Sequence, residues 1–265
     1  MIVFIITTVI IFLIIIYSYF WRGLDLIDIY SNKPIVLGHR GDRFNYPENT
    51  LTSYRSAINK GLDGIELDVL LTKDDKLVCS HNFDLERETT GNGFIDEMDY
   101  SELVKIKAGN HFSEPKRQPI PLLTDVIKSL PKTTILNIEI KTRSTFDIKA
   151  AIKVARLIKD GAISQKVIVS SFNPIAVRAI KCVSKSISTG FIYYQAENFK
   201  GVFIARPDCL HPNAEFVTDK LIQFCKKRNM RINTWTVNNA KARDWLNSKN
   251  IDGIITDNPT LVKNN

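Results

Sequence analysis

From residue 33 onward, short apolar runs rich in β-branched residues alternate with longer segments in which apolar residues recur at helical spacing. The short runs predict strands at residues 35–38, 64–70, 77–80, 135–140, 167–171, 188–193, 208–211, 231–236 and 252–256. Between them, residues 145–159 and 214–228 show the spacing of amphipathic helices. A strand followed by a helix, repeated about eight times, indicates a parallel sheet covered by helices.

The length of this region favours one closed barrel. Residues 33–262 amount to about 230 positions, close to the ~250 residues usual for a (β/α)8 TIM barrel, an α/β fold. A doubly wound open sheet is the alternative, but the even strand spacing and the polar groups at strand ends favour the barrel. Residues 82–119 interrupt the rhythm with a polar stretch containing glycines and prolines. We therefore predict a small insertion after the second barrel strand, over the mouth.

The chain begins with one continuous apolar run, from Ile2 to Trp21. About 20 apolar residues suffice to cross a bilayer as a helix, and aromatic side chains cluster at the end of the run, where an interfacial belt is expected. No Lys or Arg precedes the run, and its aromatic end is a poor cleavage site, so an uncleaved anchor is favoured over a signal peptide. The sequence thus predicts a transmembrane helix at 1–22, a linker at 23–32 and a barrel at 33–262.

Charge gives the expected orientation and partners. Arg22 and Lys33 follow the apolar run and only the α-amino group precedes it, so the positive-inside rule places the large domain in the cytosol of a single-pass membrane protein. The net charge of +8 favours anionic partners. No nucleic-acid motif accompanies it, so no nucleic-acid binding is expected. The four cysteines lack CxxC spacing, which argues against a zinc site and suits reduced thiols.

Three carboxylates lie in two predicted strands. Alternate side chains of a strand share a face, so Glu66 and Asp68 point the same way, as do Glu139 and Lys141. In a barrel, such side chains near strand ends meet at the C-terminal mouth. Buried carboxylates are costly unless a cation compensates for them, so the three predict a site for a hard divalent ion, Mg²⁺ or Ca²⁺. The alternative is pairing with Arg40 and Lys141.

Two of the four histidines follow predicted strands beside these carboxylates, His39 after residues 35–38 and His81 after residues 77–80. Imidazole titrates near neutral pH, so one can act as general base and the other as general acid. Arg40 and Lys141 can bind phosphate oxygens and stabilise the charge of a transition state. Together these groups indicate phosphodiester hydrolysis.

The same stretches resemble the glycerophosphodiester phosphodiesterase family. The matching pieces are 39–41, 47–50, 66–69, 81, 87–93, 137–141, 170–174, 211–212, 235–238 and 252–259. Each piece is weak alone, but the ordered set is highly specific and runs from about residue 35 to residue 260.

The resemblance implies a (β/α)8 barrel with a metal ion held at its mouth by three carboxylates, Glu66, Asp68 and Glu139. It implies that His39 and His81 are the catalytic acid–base pair. Arg40 and Lys141 would bind the phosphate, and Trp235 would lie at the rim against the glycerol.

The family's usual reaction begins with attack of the glycerol 2-hydroxyl on phosphorus, which expels an alcohol. Water then opens the cyclic phosphate to give glycerol 3-phosphate, and the resemblance leaves open which histidine acts first. A lysophospholipase D that uses the same site on membrane lysophospholipids is the alternative. A non-catalytic barrel binding a phosphorylated ligand is opposed by the intact charged set, and an amidohydrolase by the lack of a His-x-His pair on the first strand.

The sequence departs from the family pattern in two places, and the departure at Asn82 matters. The family commonly has His-Asp where this chain has His81-Asn82, and Arg-Thr-Thr where it has residues 87–89. Asn82 can form hydrogen bonds but carries no charge, so the pKa values of the acid–base pair or the metal affinity are expected to differ. Activity is still expected. His111 is expected to be incidental, and His211 to shape the mouth rather than take part in chemistry.

Overall fold

A computed structural model describes residues 1–31 and 34–262 of the protein. The predicted boundary between linker and barrel, at residues 32 and 33, lies outside the described residues. The strands are β1 (Ile35–His39), β2 (Gly64–Leu71), β3 (Leu77–Cys79), β4 (Lys107–Ala108), β5 (Gln118–Pro119), β6 (Ile135–Ile140), β7 (Lys166–Ser171), β8 (Ser188–Tyr193), β9 (Cys209–Pro212), β10 (Arg231–Thr234) and β11 (Gly253–Thr256). The helices are α1 (Ile2–Tyr19), α2 (Leu51–Asn59), α3 (Tyr100–Leu103), α4 (Leu123–Ser129), α5 (Lys149–Lys159), α6 (Pro174–Val183), α7 (Val202–Ala205), α8 (Asp219–Lys227), α9 (Ala240–Ser248) and α10 (Pro259–Val262).

Eight parallel strands close into a barrel. The ring runs β1, β2, β6, β7, β8, β9, β10 and β11, and β11 pairs back with β1. An open sheet would leave its two outermost strands unpaired on one side, so this closure confirms the predicted barrel and excludes the doubly wound sheet. Polar side chains at the C-terminal ends of these strands therefore share one mouth.

One predicted strand, at residues 77–80, does not join the ring. It forms β3, which pairs antiparallel with the outer end of β2, with Cys79 opposite Val69. The next residue, Ser80, donates its backbone N–H to the carbonyl of Asp68. Because β2 rises above the mouth and β3 returns toward it, His81 reaches the mouth from above rather than from the end of a barrel strand.

The polar segment after β3 packs as an ordered layer beside the mouth. It shares a small apolar core with β2 that includes Leu85 and Ile95. The guanidinium of Arg143, in the loop after β6, lies 4.4 and 4.6 Å from the rings of Phe83 and Phe94, a cation–π arrangement. Since Arg143 also donates two 2.6 Å hydrogen bonds to Asp96, this layer is tied to the barrel.

The segment predicted as a linker packs against the bottom of the barrel instead. Leu26, Ile29 and Tyr30 are buried and cluster with interior side chains of the barrel strands. The backbone N–H of Gly23 donates to the carbonyl of Arg228 at 2.8 Å. Apolar burial thus makes this segment a plug of the N-terminal end of the barrel. Its packing partners lie on strands that are distant along the chain, so a local pattern does not reveal this contact.

The prediction of a transmembrane anchor at residues 1–22 is wrong. Helix α1 (Ile2–Tyr19) forms over most of the apolar run. Within residues 1–31 and 34–262, no helix is long and apolar enough to cross a membrane. This finding also overturns the predicted single-pass location with a cytosolic domain, and it leaves the membrane without support as a partner.

Candidate active site

The predicted site residues meet around one cavity at the C-terminal mouth of the barrel. The cavity has a volume of about 100 Å³. Its lining residues are His39, Arg40, Glu66, His81, Asn137, Glu139, Phe172, Ile192, His211, Trp235 and Ile255. Two predicted residues, Asp68 and Lys141, lie behind this lining and contact it. All eight side chains named from the sequence are therefore brought together.

The three carboxylates face each other because β2 and β6 are neighbours in register. Asp68, two positions after Glu66 on β2, lies opposite Glu139 on β6. One oxygen from each of the three carboxylates lies within 4.8 Å of the other two. All three residues are buried. Burial, and then the charges of Asp68 and Glu139, raise the pKa of Glu66 well above its usual value. The cluster is thus electrostatically unfavourable unless positive charge joins it.

Two basic groups neutralise part of this cluster. Lys141 Nζ lies 2.7 Å from Glu139 Oε1 and 3.4 Å from Asp68 Oδ1, and Arg40 Nε lies 3.2 Å from Asp68 Oδ2. Burial works against ionisation of Asp68, but Lys141 and Arg40 lower its pKa below the usual range. The alternative weighed from the sequence, pairing with basic residues, therefore applies to Asp68 and Glu139.

The third carboxylate, Glu66, keeps an unpaired oxygen. Its Oε2 accepts from the backbone N–H of Arg40 at 3.0 Å, whereas its buried Oε1 has no hydrogen-bond partner within the described parts of the chain. Oxygens on opposite sides of a Ca²⁺ ion lie about 4.6–5.2 Å apart, which suits three ligand oxygens that lie within 4.8 Å of one another. The donor set thus fits a hard divalent cation, with Glu66 Oε1 as a free ligand atom.

His39 is held by a carboxylate that directly follows the last barrel strand. Its Nδ1 lies 2.6 Å from Asp257 Oδ1, and its Nε2 faces the cluster, 4.0 Å from Glu66 Oε2. Asn238 donates to Asp257 Oδ2 at 2.7 Å and accepts from the Asp257 backbone N–H at 2.9 Å. Burial opposes ionisation of Asp257, but the hydrogen bonds from His39 and Asn238 lower its pKa to about 2. Asp257 is therefore a charged acceptor that orients the imidazole.

Sequence reasoning did not single out Asp257. The signal lies in the pairing of β1 with β11, where Gly38 is opposite Thr256, so that the next residue of each strand, His39 and Asp257, also come together. Since this pairing exists only in a closed ring, it could be inferred only after the barrel had been assumed. Asn49, which donates to Asp68 Oδ2 at 2.9 Å, was likewise not assigned a role.

His81 is held by its own neighbour. Its Nδ1 lies 2.9 Å from Asn82 Oδ1, and because an amide oxygen only accepts, Nδ1 carries the proton and Nε2 is left for other partners. Burial lowers the pKa of His81 to about 4. Asn82, the departure from the family pattern, therefore touches the proposed acid–base group directly.

Aromatic side chains complete the cavity wall. The indole of Trp235 donates from Nε1 to the carbonyl of His211 at 2.9 Å, and its ring meets that of Phe172 edge-on at 5.7 Å. His211 is buried against the cavity. His111, in contrast, has a side chain that is 70% exposed and does not line the cavity, in keeping with an incidental role.

Comparison with known proteins places the chain in a family. The Glycerophosphoryl diester phosphodiesterase family matches residues 39–261. A glycerophosphodiester phosphodiesterase of Caldanaerobacter subterraneus subsp. tengcongensis is 34% identical over 236 residues, which make up 88% of this chain and 97% of that relative.

Solved structures agree with this placement. The structure of glycerophosphodiester phosphodiesterase from Thermotoga maritima has a TM-score of 0.70 at 30% identity, covering 86% of this chain and 96% of that one. A phosphodiesterase of Oleispira antarctica, solved in complex with the product sn-glycerol-3-phosphate, has a TM-score of 0.79 and covers 88% and 97%; at 24% identity it shows the shared fold. The chain belongs to the glycerophosphoryl diester phosphodiesterase family of hydrolases, which confirms the predicted family and enzyme class.

Proposed function

We propose that this protein hydrolyses glycerophosphodiesters to glycerol 3-phosphate and an alcohol, using His39 and His81 as a proton-transfer pair beside a divalent cation. The observation that carries the proposal is the arrangement of the two imidazoles. Each is held at Nδ1 by an oxygen acceptor, and both line the cavity that contains Glu66 and Glu139. The enzymes similar to this chain are named for the same reaction.

The hydrogen-bond partners suggest an order of proton transfer. The carboxylate of Asp257 stabilises the imidazolium that forms when His39 takes the proton of the glycerol 2-hydroxyl. That oxygen bonds to phosphorus, the bond to the alcohol oxygen breaks, and His81 gives the departing oxygen a proton. The anionic phosphate favours the protonated form of His81 on binding. Water then attacks the cyclic phosphate, giving its proton to His81, while His39 returns a proton to the 2-oxygen.

The basic residues and the carboxylates have separate tasks in this scheme. Arg40 and Lys141 neutralise phosphate oxygens as charge builds up in the transition state. Glu66, Asp68 and Glu139 would hold the cation, Mg²⁺ or Ca²⁺. The bound cation would supply positive charge beside the phosphate.

Metal removal tests the proposal. Full-length protein is assayed for choline release from glycerophosphocholine and from lysophosphatidylcholine, with Mg²⁺, with Ca²⁺ and after treatment with a chelator. We expect release from glycerophosphocholine with at least one metal, loss on chelation and recovery on adding metal back. Glu66→Gln removes a charged ligand atom and should lower activity by about 10²-fold or more, because cation affinity falls when a carboxylate is neutralised. Glu215→Gln, an exposed change outside the cavity, is the matched control.

Three outcomes would contradict the proposal. No choline release from either substrate in any metal would leave a binding function instead. Turnover of lysophosphatidylcholine alone would show that the preferred substrate is a lysophospholipid. Full activity of the chelated protein would remove the cation from the scheme.

A further inference from the structure

Beneath the charged rim, neutral polar side chains with unpaired atoms line the floor of the cavity. Both amide atoms of Asn137, the hydroxyl of Ser170 and Nδ1 of His211 have no hydrogen-bond partner in the part of the chain that the structure describes. All three residues are 0% exposed, and two of them, Asn137 and His211, line the cavity. Buried polar atoms without partners are destabilising and rare, so this floor points to a ligand that supplies hydrogen bonds.

The place of the His211 ring is built into the sheet. A Cβ atom at Gly190, on the neighbouring strand, would lie 2.7 Å from His211 Nε2 and 3.1 Å from Ser170 Cβ. No side chain larger than that of glycine fits there without displacing the imidazole. The ring therefore lies over Gly190, next to Ser170, inside the barrel.

A buried hydrogen-bond chain fixes the tautomer of His211. Asn233 Nδ2 lies 3.0 Å from His211 Nε2, and because an amide NH₂ only donates, Nε2 accepts and the ring proton lies on Nδ1. Asn233 is itself held by the hydroxyl of Tyr30, 2.7 Å from the same Nδ2. Burial lowers the pKa of His211 to about 3, so the imidazole stays neutral. Its free donor is thus the Nδ1–H.

The walls above this donor are apolar. Phe172, Ile192, Trp235 and Ile255 line the cavity together with the charged residues. A glycerol group matches these apolar walls and this neutral polar floor. Its carbon atoms can pack against the walls, while its uncharged hydroxyls need neutral donors and acceptors.

We propose that His211, with Asn137 beside it, binds the terminal hydroxyl of the substrate glycerol and so selects substrates in which this hydroxyl is free. The inference rests on the proposed function and adds a specificity group to it. The floor is closed below by Tyr30, Asn233 and Cys209, all buried. An acyl chain on the terminal oxygen would find neither a hydrogen-bond partner nor room, so glycerophosphodiesters are favoured over 1-acyl lysophospholipids.

Two substitutions separate ligand binding from support of the fold. In His211→Gln the side-chain amide oxygen takes the place of Nε2 and still accepts from Asn233, but the donor at Nδ1 is lost. In His211→Asn the amide group takes the place of Nδ1 and keeps a donor toward the cavity, but Asn233 loses its acceptor. Full-length, metal-loaded proteins are compared in kcat and KM for glycerophosphocholine, in binding of glycerol 3-phosphate and inorganic phosphate, and in Tm.

We expect His211→Gln to raise KM and to weaken glycerol 3-phosphate binding about tenfold, with inorganic phosphate binding and Tm close to wild type. His211→Asn should lower Tm and keep glycerol 3-phosphate affinity within about threefold of wild type. A substrate analogue tests the same contact without a variant. Replacing the terminal CH₂OH of the glycerol by CH₃ should lower kcat/KM of the wild-type enzyme at least about tenfold, and this discrimination should disappear in His211→Gln.

Equal turnover of the analogue and glycerophosphocholine by the wild-type enzyme would overturn the inference, as would a Gln variant that weakens both ligands equally. No choline release by the wild type would overturn the proposed function and this inference with it. If the wild type releases choline and His211→Gln matches it in KM and in glycerol 3-phosphate binding, the inference fails while the proposed function stands.

Discussion

The two histidines at the mouth differ in how the fold supports them. His39 ends a strand of the closed ring, and its partner Asp257 lies 218 positions away along the chain. His81 follows an antiparallel strand outside the ring and relies on the adjacent Asn82. The imidazole of His39 is thus oriented by a carboxylate that comes near it only when the barrel closes. The imidazole of His81 is oriented by the neutral amide of the adjacent residue.

This difference separates what the fold determines from what a single substitution can tune. Asp257 is fixed by Asn238 and by Arg43, whose Nη1 lies 3.4 Å from Oδ1, so changing it disturbs a network. A substitution at Asn82 can introduce a charge without any change in strand pairing. The residue beside His81 can therefore differ between relatives of the same fold, whereas the partner that orients His39 is tied to the barrel.

The largest effects are expected from removing either imidazole. His39→Ala and His81→Ala should each lower kcat by about 10²–10⁴-fold, the usual contribution of a positioned acid or base. His111→Ala, which removes an exposed imidazole, should leave kcat unchanged and serves as the control. Steady-state kinetics with glycerophosphocholine measure this. A variant at residue 39 or 81 with full activity would remove that residue from the proton-transfer pair.

A smaller effect is expected when the carboxylate behind His39 is neutralised. Asp257→Asn loses a hydrogen bond to a charged group, which contributes about 1.5–3 kcal/mol, and kcat should fall roughly 10–100-fold. KM should change little, because Asp257 does not line the cavity. The control is Asp244→Asn, whose side chain is exposed. If KM rose while kcat stayed constant, Asp257 would support binding rather than the base.

The smallest effect is expected from restoring the family's usual residue beside the other imidazole. Asn82→Asp places a carboxylate next to His81, which stabilises its protonated form and raises its pKa from about 4. In the proposed mechanism His81 is the acid of the first step and must be protonated, so the high-pH limb of the kcat/KM profile should move to higher pH. Activity at pH 7 should change by less than about tenfold. An unshifted profile would show that Asn82 does not set the proton affinity of His81.

Local patterns were enough to predict the barrel and the grouping of the charged side chains. Strand alternation gave Glu66 and Asp68 a common face, and the repeated strand–helix rhythm implied a mouth where Glu139 could join them. These features depend on residues two positions apart or on the order of elements. Both can be read without knowing any long-range contact.

What could not be predicted depends on contacts between distant parts of the chain. Asp257 reaches His39 only because the first and last strands pair, and β3 shows its direction only when it is paired with β2. The apolar run at residues 2–21 predicted a membrane span that no helix within residues 1–31 and 34–262 provides. The segment from Gly23 to Tyr30 is buried by side chains of distant barrel strands, and these contacts exist only once the barrel has formed.

The segment from Gly23 to Tyr30 determines how far the enzyme can be shortened from its N-terminal end. The family match begins at residue 39, yet the Tyr30 hydroxyl supports Asn233, and through it His211, from outside the matched region. A fragment trimmed to the matched residues would lose all of β1 except His39, and also the last link of this chain of hydrogen bonds. Shortened versions made for crystallisation or assay should therefore keep the residues from Trp21 onward. The boundary of the family match is a poor guide to the smallest working enzyme.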